Sequence, residues 1–196
     1  DIETYRTQAK ERLLSGNYVP QFIFAGAATR LNRGPMYDLD IWDIAKELGK
    51  ATDSDAKFHL GMGPRQILAY RQALEDLAKQ TGRSLQDVLA NQKIIINVNA
   101  DIEDKVLSDF TKHDFYGFNP AQVFFVVQPT YQGYQFKDGQ LEFNPQSPSV
   151  PYGHGHNFMQ LAEGRQAFTL DKAGNRNYLQ EGLISAFSDQ VLIGSH

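Results

Sequence analysis

The chain has 196 residues, with 19 Lys and Arg against 23 Asp and Glu and a formal net charge of −4. That length suits one well-buried core, and a weakly acidic balance with no basic run argues against a nucleic-acid surface. With no cysteine there are no disulfides or thiolate metal sites, no apolar stretch reaches the roughly eighteen residues of a membrane span, and the N-terminus lacks a signal-peptide pattern. The expectation is a cytoplasmic enzyme domain with small-molecule partners, no nucleic acid and no membrane.

Ile2 to Leu14 spaces Ile2, Tyr5, Ala9, Leu13 and Leu14 among charges, which predicts a surface helix. A first strand is predicted over Gln21 to Ala25. The apolar run then breaks into Gly26, Ala27 and Ala28, followed by Thr29 and Arg30. Bare N–H groups beside a guanidinium can share an anion's charge, so this reads as a phosphate loop. Residues 31–58 mix Asp38, Asp40, Asp43, Asp53 and Asp55 with no clear period and predict an excursion over the surface.

Pro64 to Gln80 keeps helical spacing through Ile67, Leu68, Tyr70, Leu74, Leu77 and Ala78, with Pro64 suited to a first turn. Its approach, Gly61 to Arg65, is a further candidate anion site at a helix start. A short helix over Leu85 to Ala90 follows. Ile94, Ile95, Ile96 and Val98 form an unalternated β-branched run, which predicts a central parallel strand covered on both faces. Ala100 to Lys112 reads as a helix through Ile102, Val106, Leu107 and Phe110, and Gln122 to Val127 as a third strand.

Asp138-Gly139, between Tyr131 to Phe136 and Gln140 to Phe143, is a hairpin signal. A proline-rich stretch, Asn144 to Pro151, leads into Ser149 to Phe158, where Gly153 and Gly155 alternate with His154 and His156. Such glycines let a backbone pass close to a planar ring. Two imidazoles two apart on an extended chain share a side, but no third ligand is evident and no metal site is assigned to them. Tyr178 to Phe187 predicts a helix, and Val191 to Gly194 a last strand. Taken together, the pattern is βαβαβ. It implies an α/β domain with a mostly parallel, doubly wound sheet, a small β-hairpin insertion, and a ligand at the carboxyl ends of strands one and three.

Three segments carry a family resemblance. FAGAATRLN at Phe24 to Asn32 resembles the LAGGxGTRLG loop of nucleotide-sugar pyrophosphorylases, the UDP-glucose and UDP-N-acetylglucosamine pyrophosphorylase group. TKHDFYGFNPAQVFFVVQP at Thr111 to Pro129 is similar to that group's segment running from an aromatic-glycine turn into a strand ending in glutamine. PYGHGH at Pro151 to His156 is similar to its PPGHGD or PDGNGG motif. The order is the same, and together the segments cover most of the chain.

The resemblance implies a Rossmann-like nucleotidyltransferase sheet and a reaction of UTP with a sugar 1-phosphate, giving a UDP-sugar and pyrophosphate with Mg2+. It implies that residues 1–196 are a single nucleotide-binding domain, the N-terminal part of a longer enzyme. Ala25, Gly26 and Ala27 match the loop that meets the nucleotide, and Arg30 matches the arginine facing the leaving pyrophosphate. Gln128 and Gly153 match the groups on the uracil, and His154 stands near the α-phosphate or sugar.

The family loop continues into Pro-Lys, whereas here Pro35 is followed by Met36, so Arg33 or Arg65 would take the lysine's part. His156 stands where aspartate or glycine is usual. The family's metal-binding aspartate follows the strand in which this sequence stops, at His196. A non-catalytic nucleotide or nucleotide-sugar binding module is the alternative.

Overall fold

The computed structural model describes residues 1–26, 34–52, 60–147, 149–151, 159, 167–187 and 192–195. In chain order these form α1 (Ile2–Leu14), β1 (Tyr18–Ile23), α2 (Ile41–Glu47), α3 (Met62–Thr81), α4 (Leu85–Asn91), β2 (Ile94–Asn99), α5 (Glu103–Lys112) and β3 (Val123–Gln128). There follow β4 (Thr130–Tyr131), β5 (Gly133–Lys137), β6 (Gln140–Asn144), β7 (Val150–Pro151), β8 (Phe168–Leu170), β9 (Arg176–Tyr178), α6 (Leu183–Ala186) and β10 (Leu192–Ser195).

The isoleucine run makes β2 the middle of the sheet because it is buried along its whole length. The main sheet runs β10-β1-β2-β3-β8-β9. Strands β10, β1, β2 and β3 are mutually parallel, and β8 and β9 add an antiparallel edge. Apolar side chains cover the two faces unequally. On one face Leu14, Ile67, Leu74, Val106 and Phe110 bring α1, α3 and α5 onto Phe22, Ile94, Ile96 and Phe125. On the other, Val19, Ile95, Phe124 and Val126 meet Ala167, Leu183 and Phe187, so α6 is the described helix there. Helices therefore lie on both sides of the sheet, with most of the described helical mass on one.

Local chemistry fixes the element ends. Gly82 closes α3 in the left-handed conformation at φ +68°, and Ser84 caps α4 by accepting the Asp87 N–H. Asp138 and Gly139, at φ +50° and +79°, make the tight turn of the β5–β6 hairpin. Between α5 and β3, Asp114, Phe115 and Tyr116 adopt φ of 47°, 52° and 55°, followed by Gly117 at 86°, so the chain reverses through a left-handed turn.

Four expectations change. Strand β1 starts at Tyr18, ahead of Gln21. Pro20 is tolerated because pairing with β2 begins only at Gln21, so its missing N–H breaks no bond of that ladder. Within 31–58, the described residues include a 3-10 turn, Met36–Asp38, that buries Tyr37, and a helix α2 capped by Asp40. That segment is thus tied into the core. Helix α5 starts at Glu103, since residues 100–102 form a turn ahead of it. Over 178–187 the spacing of Leu179, Leu183 and Phe187 imitates a helix, but the Leu179 N–H donates to the Ala167 carbonyl and extends the β8–β9 edge, leaving only α6.

Candidate functional site

The carboxyl ends of β1, β2 and β3 bring together the described part of the predicted site. Beyond β1, the Phe24 N–H still bonds the Asn97 carbonyl at 2.8 Å, so Ala25 and Gly26 leave the sheet beside β2. Gln128 ends β3 directly opposite Asn99 in register. Side chains alternate along a strand, which puts Gln21, Asn97, Asn99 and Gln128 on the face of Val19, Ile95, Phe124 and Val126. All four amides are buried. A buried amide without partners costs on the order of 1–3 kcal/mol, so their pairing decides whether they can be kept.

They are paired. Gln21 Nε2 donates to Asn97 Oδ1 at 2.7 Å. Asn99 Nδ2 donates to the Ala25 carbonyl at 2.9 Å, while its Oδ1 accepts the N–H groups of Asp101 and Ile102 at 3.0 and 3.1 Å. Gln128 is not without a partner either, and its main-chain carbonyl accepts the Ala100 N–H at 3.2 Å. The result is an uncharged, hydrogen-bonding floor, suited to reading the edge of a neutral ring by donor and acceptor pattern.

Of the predicted residues, Ala25, Gly26 and Gln128 thus share one edge. Ala27, Arg30, Arg33, Gly153 and His154 lie outside the described residues, as does His156. Gln21, Asn97 and Asn99 are not among the residues that the sequence motifs single out. Asn97 and Asn99, alternating about Val98 at the end of the apolar run that begins at Ile94, were the available signal, because such a strand keeps amides only where they have partners.

Met36, which stands in place of the expected lysine, is at the loop itself. Its N–H donates to the Gly26 carbonyl at 3.1 Å. A Cβ built on Gly26 would meet Met36 Sδ at 3.7 Å, ordinary contact. The Gly61–Arg65 segment differs. A Cβ on Gly61 would fall 2.2 Å from the Tyr37 carbonyl oxygen, and one on Gly63 would fall 2.1 Å from the Tyr37 ring. Packing accounts for both glycines without an anion. Arg65 donates from Nε to the Leu60 carbonyl at 2.9 Å and reaches Asp40 at 3.9 Å, so its guanidinium is engaged in holding α3 to the segment before it.

Tyr37 also anchors this side of the loop. Its ring lies edge-on to Phe24 with centroids 5.0 Å apart, and its hydroxyl donates to Asp109 on α5, as does that of Tyr116. Burial first, and then the bond to Asp109, hold both phenols far above the usual tyrosine range. They are neutral donors at any working pH.

No protein-family model matches this sequence, and no curated protein does. Among solved structures the chain is similar to the uridine diphosphate N-acetylglucosamine pyrophosphorylase of Trypanosoma brucei, solved with an inhibitor. The TM-score is 0.55 at 16% identity, covering 100% of this chain and 36% of that one. The likeness is one of fold, a mixed α/β architecture with a mainly parallel six-stranded sheet. A UDP-N-acetylglucosamine pyrophosphorylase structure from Entamoeba histolytica gives a TM-score of 0.49 at 13% identity over 81% of this chain and 36% of that one. The chain thus spans about a third of the length of either structure. No described helix is long and apolar enough to cross a membrane.

Proposed function

We propose that this chain carries the uridine-nucleotide site of a nucleotidyltransferase that joins UTP to a sugar 1-phosphate and releases pyrophosphate. The supporting observation is the meeting of Ala25 and Gly26 with Gln128 across Asn99, at the carboxyl ends of three adjacent parallel strands. Strand spacing puts the first and third about 10 Å apart. This is where open α/β sheets take their ligands, in a fold shared with a UDP-N-acetylglucosamine pyrophosphorylase.

In this reading the Gln128 amide and the Gly153 backbone face the uracil, and the 25–27 backbone faces the phosphates. A phosphate oxygen of the sugar 1-phosphate attacks the α-phosphorus of UTP, and pyrophosphate leaves from the opposite side. Such a transfer needs positioning and charge compensation more than covalent chemistry. The described edge supplies positioning through neutral amides. Compensation falls to Arg30, Arg33 and His154. Magnesium belongs to the proposal as the companion of UTP, bound through its phosphates; among the described residues no three His, Asp or Glu side chains stand together as ligands.

Met36 favours a second reading. It puts a thioether against Gly26, where the resemblance expects a lysine, and a nucleotide-binding module without turnover would keep the amides and lose the charge. UTP titration and pyrophosphate release with a panel of sugar 1-phosphates separate the two. Gln128→Ala is expected to weaken UTP up to about tenfold, the worth of one neutral hydrogen bond, and to leave pyrophosphate binding unchanged. UTP binding without turnover, with turnover gained in Met36→Lys, establishes the second reading. Failure to bind UTP ends both.

A further inference from the structure

We propose that Asn99 is the positioning residue of the nucleotide loop: its side-chain amide fixes the Ala25–Gly26 peptide and so aims the Gly26 N–H at the ligand. The inference rests on the nucleotide reading above, but its core is a statement about one buried hydrogen-bonded group.

Asn99 is 2% exposed, and among the described residues its side chain makes three bonds, all to backbone groups. Its amide can lie only one way round. Flipping it would set Nδ2 against the Asp101 and Ile102 N–H groups and Oδ1 against the Ala25 carbonyl, turning three attractions into repulsions. The orientation of the amide is therefore locked by the turn into α5, and through Nδ2 it locks the Ala25 carbonyl. In a trans peptide the C=O and the following N–H point in opposite directions in one plane. A carbonyl held toward β2 thus leaves the Gly26 N–H directed away from β2. Among the described residues no acceptor meets that N–H. Through a carbonyl 74 residues earlier in the chain, a side chain on β2 sets the direction of a donor on the neighbouring loop.

Asn99→Asp separates the two ends of the amide, because it keeps an acceptor for Asp101 and Ile102 and replaces the donor with an oxygen facing the Ala25 carbonyl. In the full chain, hydrogen exchange of peptides covering 24–26 and 101–106 is followed alongside UTP titration. The expected result is faster exchange over 24–26, unchanged exchange over 101–106, and UTP affinity about tenfold lower. Asn99→Ala, which removes both ends, speeds exchange in both segments. Unchanged exchange over 24–26 in these variants overturns the proposal whatever UTP does. If instead 24–26 loosens and the unaltered chain binds no UTP, the nucleotide reading falls and the tie stands. Should neither variant fold, NMR of the unaltered chain decides. A slowly exchanging Asn99 side-chain amide proton close to Ala25 supports the tie, and rapid exchange there refutes it.

Discussion

Gly26 and the Gly61–Gly63 pair both border the turn over residues 36–38, and in sequence both read as small residues placed for an anion. The space around them says otherwise. At 61 and 63 the backbone and ring of Tyr37 occupy the volume a side chain would need, whereas at 26 a Cβ meets only ordinary contact with Met36 among the described residues. A glycine required by packing needs no ligand to explain it. One for which packing has no use is the better candidate for a backbone that approaches something else.

The largest expected effect is at Gly61. Gly61→Ala drives a methyl into the Tyr37 carbonyl and the Asp38 backbone, and should cost about 3 kcal/mol or more in urea unfolding. A near-neutral result would remove the packing explanation and restore the helix start as an anion site. Next comes Tyr37→Phe, which keeps the ring on Phe24 and Gly63 but withdraws the hydroxyl from Asp109. A bond to a carboxylate contributes about 2 kcal/mol, and that loss should show in the same assay. Gly26→Ala is expected to change stability by less than about 0.5 kcal/mol while weakening UTP. A destabilised Gly26→Ala that binds UTP normally would make the two glycine regions equivalent after all.

The smallest effect concerns pH. Bonds from Asn175, Ala173 and Gly174 hold the Asp171 carboxyl below its usual value. A depressed native pKa means a contribution present above the unfolded value, about 3.9, and lost as pH falls through the lower native value. The stability gap between the parent and Asp171→Ala should be constant near neutrality and close below about pH 4. A gap that widens on acidification would contradict the assignment.

What sequence could show here followed the range of the interactions. The hairpin was readable because Asp138-Gly139 carries its own turn, and β2 because three isoleucines in a row need cover on both faces. The Tyr37 plug was not. Its partners Phe24, Gly63 and Asp109 are spread over the chain, and a tyrosine among aspartates looks like surface. Asn99 was hidden for the same reason, since its value lies in a carbonyl 74 positions away. Of the site, the glycine and glutamine were legible as types, while the amide floor between them became visible only when three strands lay side by side.

The left-handed turn after α5 has a consequence for engineering. Asp114, Phe115 and Tyr116 each hold a conformation that costs an L-residue roughly 1–2 kcal/mol. Phe115 is committed to the core and Tyr116 to Asp109, but Asp114 sits at the entrance to the turn. An achiral residue there escapes the penalty of handedness, so a glycine scan, which ordinarily softens a protein, should find in position 114 a place where glycine makes it firmer.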